Sequence, residues 1–188
     1  MSNSHVTEHP PHIAPDEGCI QVELPMFIAS GRSLTSGLPG GDDRMRIRLY
    51  KRISDGHAVG RAWFGEGANG PPQHVHGGAV AYVLDEAMGS VGWMNDYPVV
   101  AKKIDFEFLK MSPLKVDFIV EARIVRTNEK RIFVEAELKL PTGEVCVKGH
   151  GEFAILSARK LQAIDAAKFD PKGLLDNPNL KWAKDDAR

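Results

Sequence analysis

The spacing of hydrophobic residues changes character several times along this chain. From residue 44 it has period two: Met45, Ile47 and Leu49 alternate with Arg44, Arg46 and Arg48, the signature of a strand with one buried face. Ser54-Asp55-Gly56-His57 then reads as a tight turn into a second run, Ala58 to Glu66, so a β-hairpin is predicted. Asn69-Gly70-Pro71-Pro72 breaks the pattern. Beyond it, Val80, Val83, Leu84, Ala87, Met88 and Val91 recur at helical spacing, which predicts a helix over 76–94. Its apolar residues nearly encircle it, so protein should cover it on several sides.

After Asn95-Asp96-Tyr97-Pro98 come four strand-like runs, 99–110, 115–126, 131–140 and 144–156, rich in β-branched and aromatic residues. Ile104, Phe106 and Phe108 share one face of the first. Val116, Phe118, Val120 and Ala122 share one face of the second, and Ile132, Val134, Ala136 and Leu138 one face of the third. Short connections at 127–130 and 141–143 make neighbours antiparallel, and a four-strand meander is expected. An α+β domain follows, with one antiparallel β-sheet wrapped around one long central helix, because only a sheet can cover so much of that helix. The domain is expected over 19–156, with its core at 44–156. Residues 1–18, rich in Pro, His, Ser and acidic residues, are expected to form a disordered or loosely attached arm. Residues 157–188 form a C-terminal extension with a weak helical pattern (Leu161, Ile164, Ala167).

Composition narrows the class without naming a function. Lys+Arg 24 against Asp+Glu 25 gives no basic field, so nucleic acid is not an expected partner. Two cysteines, Cys19 and Cys146, lie far apart, which indicates neither a disulfide framework nor a cysteine-rich zinc site and points to a reducing cytoplasm. No apolar run reaches the roughly 18 residues of a membrane span, and the first residues lack a basic and an apolar secretory region. A soluble, cytoplasmic protein is expected.

Two features inside the helix carry chemistry. Asp85 and Glu86 are the only acidic residues between Gln73 and Asn95, and a buried carboxylate costs several kcal/mol unless partnered. They differ by about 100° around the axis, which predicts different environments and one functional carboxylate, with Glu86 the bystander. His76-Gly77-Gly78 opens the helix. Glycines there let a substrate carbonyl approach free backbone N–H groups at the positive end of the helix dipole, which makes an oxyanion site. Gly77 and Asp85 are eight residues apart, about 12 Å of helix, too far to act on one carbonyl within one helix. Two antiparallel copies would bring Asp85 of one chain near Gly77 of the other.

Asn69-Gly70-Pro71-Pro72-Gln73-His74-Val75-His76-Gly77-Gly78-Ala79, followed by Asp85-Glu86-Ala87-Met88-Gly89, resembles the signature of the hot-dog fold thioesterases of the PaaI type. The run from Val99 to Pro113 resembles the strand after the helix in that family. The resemblance covers about residues 44–156. It implies a hot-dog fold and hydrolysis of an acyl-CoA thioester to free acid and CoA, with no cofactor, by a homodimer or dimer of dimers. Gly77 N–H would polarise the thioester carbonyl, Asp85 of the partner chain would act as nucleophile or general base, and His76 would sit beside the thioester. Asn69, Gly70, Gly78 and Lys103 would contact substrate. In relatives the Lys103 position is often Ser or Thr and holds the attacking water, so Lys here points to another acyl group or to the phosphates of CoA.

Two other functions fit the same fold. A hydratase or dehydratase would act on acyl thioesters too, but its usual His with Asp or Glu at other spacings is not evident. A non-catalytic acyl-CoA sensor would keep the glycines and could dispense with Asp85. No metal is expected: His74 and His76 form an HxH pair, but nothing nearby completes a ligand set. No GxSxG elbow or phosphate loop occurs.

Overall fold

A computed structural model describes residues 16–22, 24, 44–162 and 173–184. Most of the predicted N-terminal arm and much of the C-terminal extension, Ile164 and Ala167 included, lie outside the described residues. The described chain begins with a two-residue strand β1 (Cys19–Ile20). The hairpin forms as the alternation predicts, from β2 (Met45–Arg52) and β3 (Ala58–Phe64), paired from Met45↔Phe64 to Lys51↔Ala58. Gly56 turns the chain at φ 74°, a left-handed conformation that a side chain would strain. Its carbonyl accepts from Asn95 Nδ2 at 2.7 Å, which ties the hairpin tip to the far end of the helix.

The helix, α1, spans Gly77–Met94. Its last carbonyls are met by a cation, since Lys51 Nζ donates to Met94 O at 2.6 Å, where the helix dipole is negative. Val83, Leu84, Ala87, Met88 and Val91 are fully buried, each large side chain contributing roughly 1.5–3 kcal/mol by leaving water. They pack with Phe64, Phe118 and Phe153 in one core, in which Phe64 and Phe118 meet edge to face at 5.8 Å. One stripe of α1, Gly78, Tyr82, Asp85 and Gly89, stays accessible in the single chain. No helix among the described residues is long and apolar enough to cross a membrane.

Four strands follow: β4 (Val99–Phe108), β5 (Asp117–Thr127), β6 (Arg131–Lys139) and β7 (Val145–Ile155). A short helix α2 (Ala158–Gln162) comes after them. The seven strands form one antiparallel sheet in the order β1-β2-β3-β5-β6-β7-β4, wrapped around α1. This is the hot-dog arrangement.

The expected meander is correct for β5, β6 and β7 only. β4 lies at the opposite edge, paired with β7, while β5 joins β3. The reason lies in the connection 109–116, which bonds elsewhere than in a hairpin. Val75 N–H donates to Ser112 O at 2.8 Å and Leu114 N–H to Gln73 O at 3.1 Å. The connection therefore runs against the entry to α1 and separates the two strands.

Candidate active site

The entry to α1 is built backwards from His76. His76 N–H donates to Ala68 O at 2.8 Å and Gly70 N–H to His74 O at 2.9 Å, which folds 68–76 into a tight loop. A side chain on Gly70 would press on the His76 backbone, with its Cβ 2.7 Å from His76 Cα. Glycine at 70 thus allows His76 to stand at the helix start. There His76, in extended conformation, caps α1: its Nδ1 accepts the Gly78 N–H at 3.0 Å. A cap of this kind satisfies one of the helix's orphan donors.

The cap selects between the two glycines. Gly78 N–H is spent on His76, whereas Gly77 N–H has no partner among the described residues. Gly77 also lines a cleft of about 310 Å³ with His74, Val80 and the segment Phe108 to Ser112. An added Cβ on Gly77 would meet only the Phe108 ring, at 3.5 Å. A free N–H at a positive helix end, opening on a cleft, is what polarising a carbonyl requires.

Asp85 lines a different, mainly apolar cleft of about 110 Å³. Its carboxyl has no hydrogen-bond partner among the described residues, and burial raises its pKa. Glu86 lines the same cleft, which overturns the expectation that the two acids occupy different environments. A step of 100° still leaves two long side chains able to reach one groove. Burial raises Glu86 as well, against a hydrogen bond from the Tyr82 hydroxyl, and the nearby Asp85 charge adds to the rise. The two acids still differ in one respect, since Glu86 is held by Tyr82 and Asp85 is not held.

The other predicted residues are spread out. Asn69, His76 and Gly78 border a third cleft with Tyr82. Lys103 lies in a fourth, with Asp105, Glu135, His150 and Glu152, its Nζ 2.9 Å from Asp105. A register shift between Ala101 and Lys103 precedes it. Lys110, beside the Gly77 cleft, pairs with Glu144. The HxH pair is occupied locally, as His74 Nδ1 lies 2.8 Å from Pro72 O and His76 Nδ1 caps the helix. Among the described residues, no three His, Cys, Asp or Glu residues cluster as a metal would need. The sequence reading missed Ser90, Trp93 and Leu24, which line the Asp85 cleft. A lone serine in an apolar helix was a visible signal, while Leu24 lies far away in sequence.

A family model described as Thioesterase superfamily matches residues 72–147, from the entry loop of α1 into β7. Solved structures share the fold. A thioesterase superfamily protein is similar at 21% identity and TM-score 0.57, over 78% of this chain and 70% of its own. A hypothetical thioesterase protein from Streptococcus pneumoniae, solved with coenzyme A, is 16% identical with TM-score 0.54, over 60% of this chain and 89% of its own. The E. coli PaaI protein, from the phenylacetic acid degradation operon, is 15% identical with TM-score 0.54, over 60% and 80% respectively. No curated protein matches.

Proposed function

We propose that this chain hydrolyses an acyl-CoA thioester to the free acid and CoA, at sites shared between two copies of itself. The observation that carries this reading is the pair of unpartnered groups on α1. Gly77 N–H and the Asp85 carboxyl lie in separate clefts, about 12 Å apart along the axis. Two helices placed antiparallel on their accessible stripes would bring Asp85 of one copy to Gly77 of the other. The exposed edge of β4 and the exposed side chains of Phe108, Leu109 and Met111 favour such a partner, because a long open edge with apolar neighbours normally needs cover.

In that site Gly77 N–H stabilises the oxyanion as the carbonyl carbon is attacked. With Asp85 as general base, water adds, Asp85 takes its proton, and the C–S bond breaks to give acid and CoA thiol. With Asp85 as nucleophile, its oxygen attacks the carbonyl carbon, the C–S bond breaks to release CoA as the thiolate, and water then opens the resulting anhydride to give the acid and restore Asp85. The matched family model and the neighbour solved with coenzyme A support the substrate class.

The test is release of free thiol from a panel of aliphatic and aromatic acyl-CoAs by wild type and Asp85→Asn. Wild type is expected to release CoA, and the variant to lose at least about 10²-fold. Equal rates would remove Asp85 from the mechanism. Binding of acyl-CoA without any thiol release would make the protein a sensor rather than a hydrolase.

A further inference from the structure

Ile104, Phe106 and Phe108 occupy one face of β4, because side chains two apart on a strand point the same way. Ile104 and Phe106 pack against the core. Phe108, the last of the row, lies beyond it and keeps 54% of its surface exposed. Much of the free energy that burying this ring would release is therefore still available to whatever covers it. Its place is nonetheless fixed. Phe108 pairs with Val147 in the sheet, and the next two N–H groups, of Leu109 and Lys110, donate to Cys146 O at 2.9 and 3.0 Å. The Phe106 ring stands beside it, with centroids 6.5 Å apart.

This anchored strand end delivers the ring to the start of α1. Two ring atoms, Cε1 and Cζ, lie 3.5 Å from where a Cβ on Gly77 would stand, so they are within about 6 Å of the Gly77 nitrogen. A carbonyl oxygen accepting that N–H sits about 2.9 Å from the nitrogen, and the atoms bonded to its carbon extend further into the cleft. Gly77 and Phe108 border the same cleft of about 310 Å³, and both are open to solvent in part. Leu109 and Met111 are exposed on the same rim, but the Phe108 ring is the member of this group that reaches Gly77.

We propose that Phe108 is a substrate-contacting residue, whose ring forms the wall against which the thioester lies while its carbonyl oxygen takes the Gly77 N–H. This rests on the hydrolase reading for its ligand, but only on the Gly77 cleft for its geometry. A thioester suits such a wall, because the sulfur and the methylenes that flank its carbonyl are apolar and polarisable, and sulfur packs favourably on aromatic rings. The contact is made by bound substrate and transition state alike, so its loss raises KM and leaves kcat in place.

The experiment measures binding of two ligands to wild type, Phe108→Ala and Phe108→Tyr. One is the ketone analogue of acetyl-CoA in which CH₂ replaces the sulfur, its acyl group short enough that differences report on the thioester position. The other is desulfo-CoA, which ends before that position. Because Phe108 lies outside the core, Phe108→Ala should fold and melt close to wild type, with its sedimentation unchanged. Wild type and Phe108→Tyr are expected to bind the ketone about tenfold more tightly than Phe108→Ala, and all three to bind desulfo-CoA equally. In thiol release, Phe108→Ala should raise KM by the same factor with kcat within about twofold. No binding of the ketone by wild type, or equal affinity in Phe108→Ala, overturns the proposal. So does an equal loss for desulfo-CoA, which would put the ring on the pantetheine arm, or a loss that comes with dissociation of the oligomer, which would make it a subunit contact. If the ketone-specific loss is present and no acyl-CoA is hydrolysed, the contact stands and the hydrolase reading falls. If acyl-CoAs are hydrolysed and Phe108→Ala binds the ketone as wild type does, the reverse holds.

Discussion

The His76 imidazole lies across Gly78: its Nδ1 accepts the Gly78 N–H at 3.0 Å, and a methyl group on Gly78 would meet that same nitrogen at 3.0 Å. Histidine and the second glycine are thus one device, in which the ring caps the helix because no side chain stands in its way. The first glycine is left with a free N–H. His76→Ala is expected to lower stability by about 1 kcal/mol, the usual worth of a helix cap, and Gly78→Ala to do so less, by displacing the ring. Thermal unfolding of both variants checks this, and unchanged melting would dissolve the capping role.

Gly77 permits an unusually clean removal of one N–H. Proline is tolerated at the first position of a helix, and His76 already has the extended conformation, ψ 132°, that a residue before proline prefers. Gly77→Pro should therefore fold while losing about 10²–10³ in kcat, as loss of an oxyanion donor does. Gly77→Ala keeps the N–H and adds a methyl at ordinary contact distance from Phe108, so it should retain far more activity. Equal activity in the two variants would place the oxyanion donor elsewhere.

In the proposed mechanism Asp85 would serve as base or nucleophile only when ionised, and burial holds its pKa above the ordinary carboxylate value, about 4. The acid limb of kcat/KM is accordingly expected at higher pH than an exposed aspartate would give. Stability should move the opposite way. Because the native carboxyl binds its proton more tightly than the unfolded one, stability falls as pH rises between the unfolded and folded pKa values, and the deficit persists above. Asp85→Asn should melt higher than wild type at neutral pH, with the gap closing in acid. A variant that melts lower at neutral pH would mean that the carboxylate is stabilised in the native protein.

Glu121 illustrates the converse. Burial opposes its ionisation, but hydrogen bonds from His57, Arg52 and Lys139 outweigh that and hold its pKa at about 2. Its contribution to stability is complete above the ordinary glutamate pKa and is lost as pH falls towards 2. Glu121→Gln should cost about 1–2 kcal/mol at neutral pH and little in strong acid. Denaturant unfolding at the two pH values would expose a constant difference if this account were wrong.

The hairpin, the helix and four later strands were legible because each has a clear period and a turn at its end. The α1 boundary could be read to within a residue from His76-Gly77-Gly78 and from Asn95-Asp96-Tyr97-Pro98. The position of β4 could not be read. It depends on where the 109–116 connection finds its hydrogen bonds, and the partners Val75 and Gln73 lie some 40 residues earlier. The shift between Ala101 and Lys103 in β4 carries no glycine or proline to announce it. At the site, the roles of Gly77 and Gly78 separate only once the His76 ring is placed. Asp85 and Glu86 share a cleft because the walls contributed by Val99, Phe153 and Leu24 join there from three distant stretches of chain.

The central claim is that Gly77 and Asp85 of different copies make one site. Co-expressed Gly77→Pro and Asp85→Asn chains test it most directly, with thiol release from an acyl-CoA as the readout. Each variant alone is expected to be nearly inactive. In mixed dimers one of the two sites regains an intact Gly77 from one chain and an intact Asp85 from the other, so random pairing should restore about a quarter of wild-type activity. Activity no greater than that of the two parents would contradict the shared site, because a site made within one chain stays broken in every pairing.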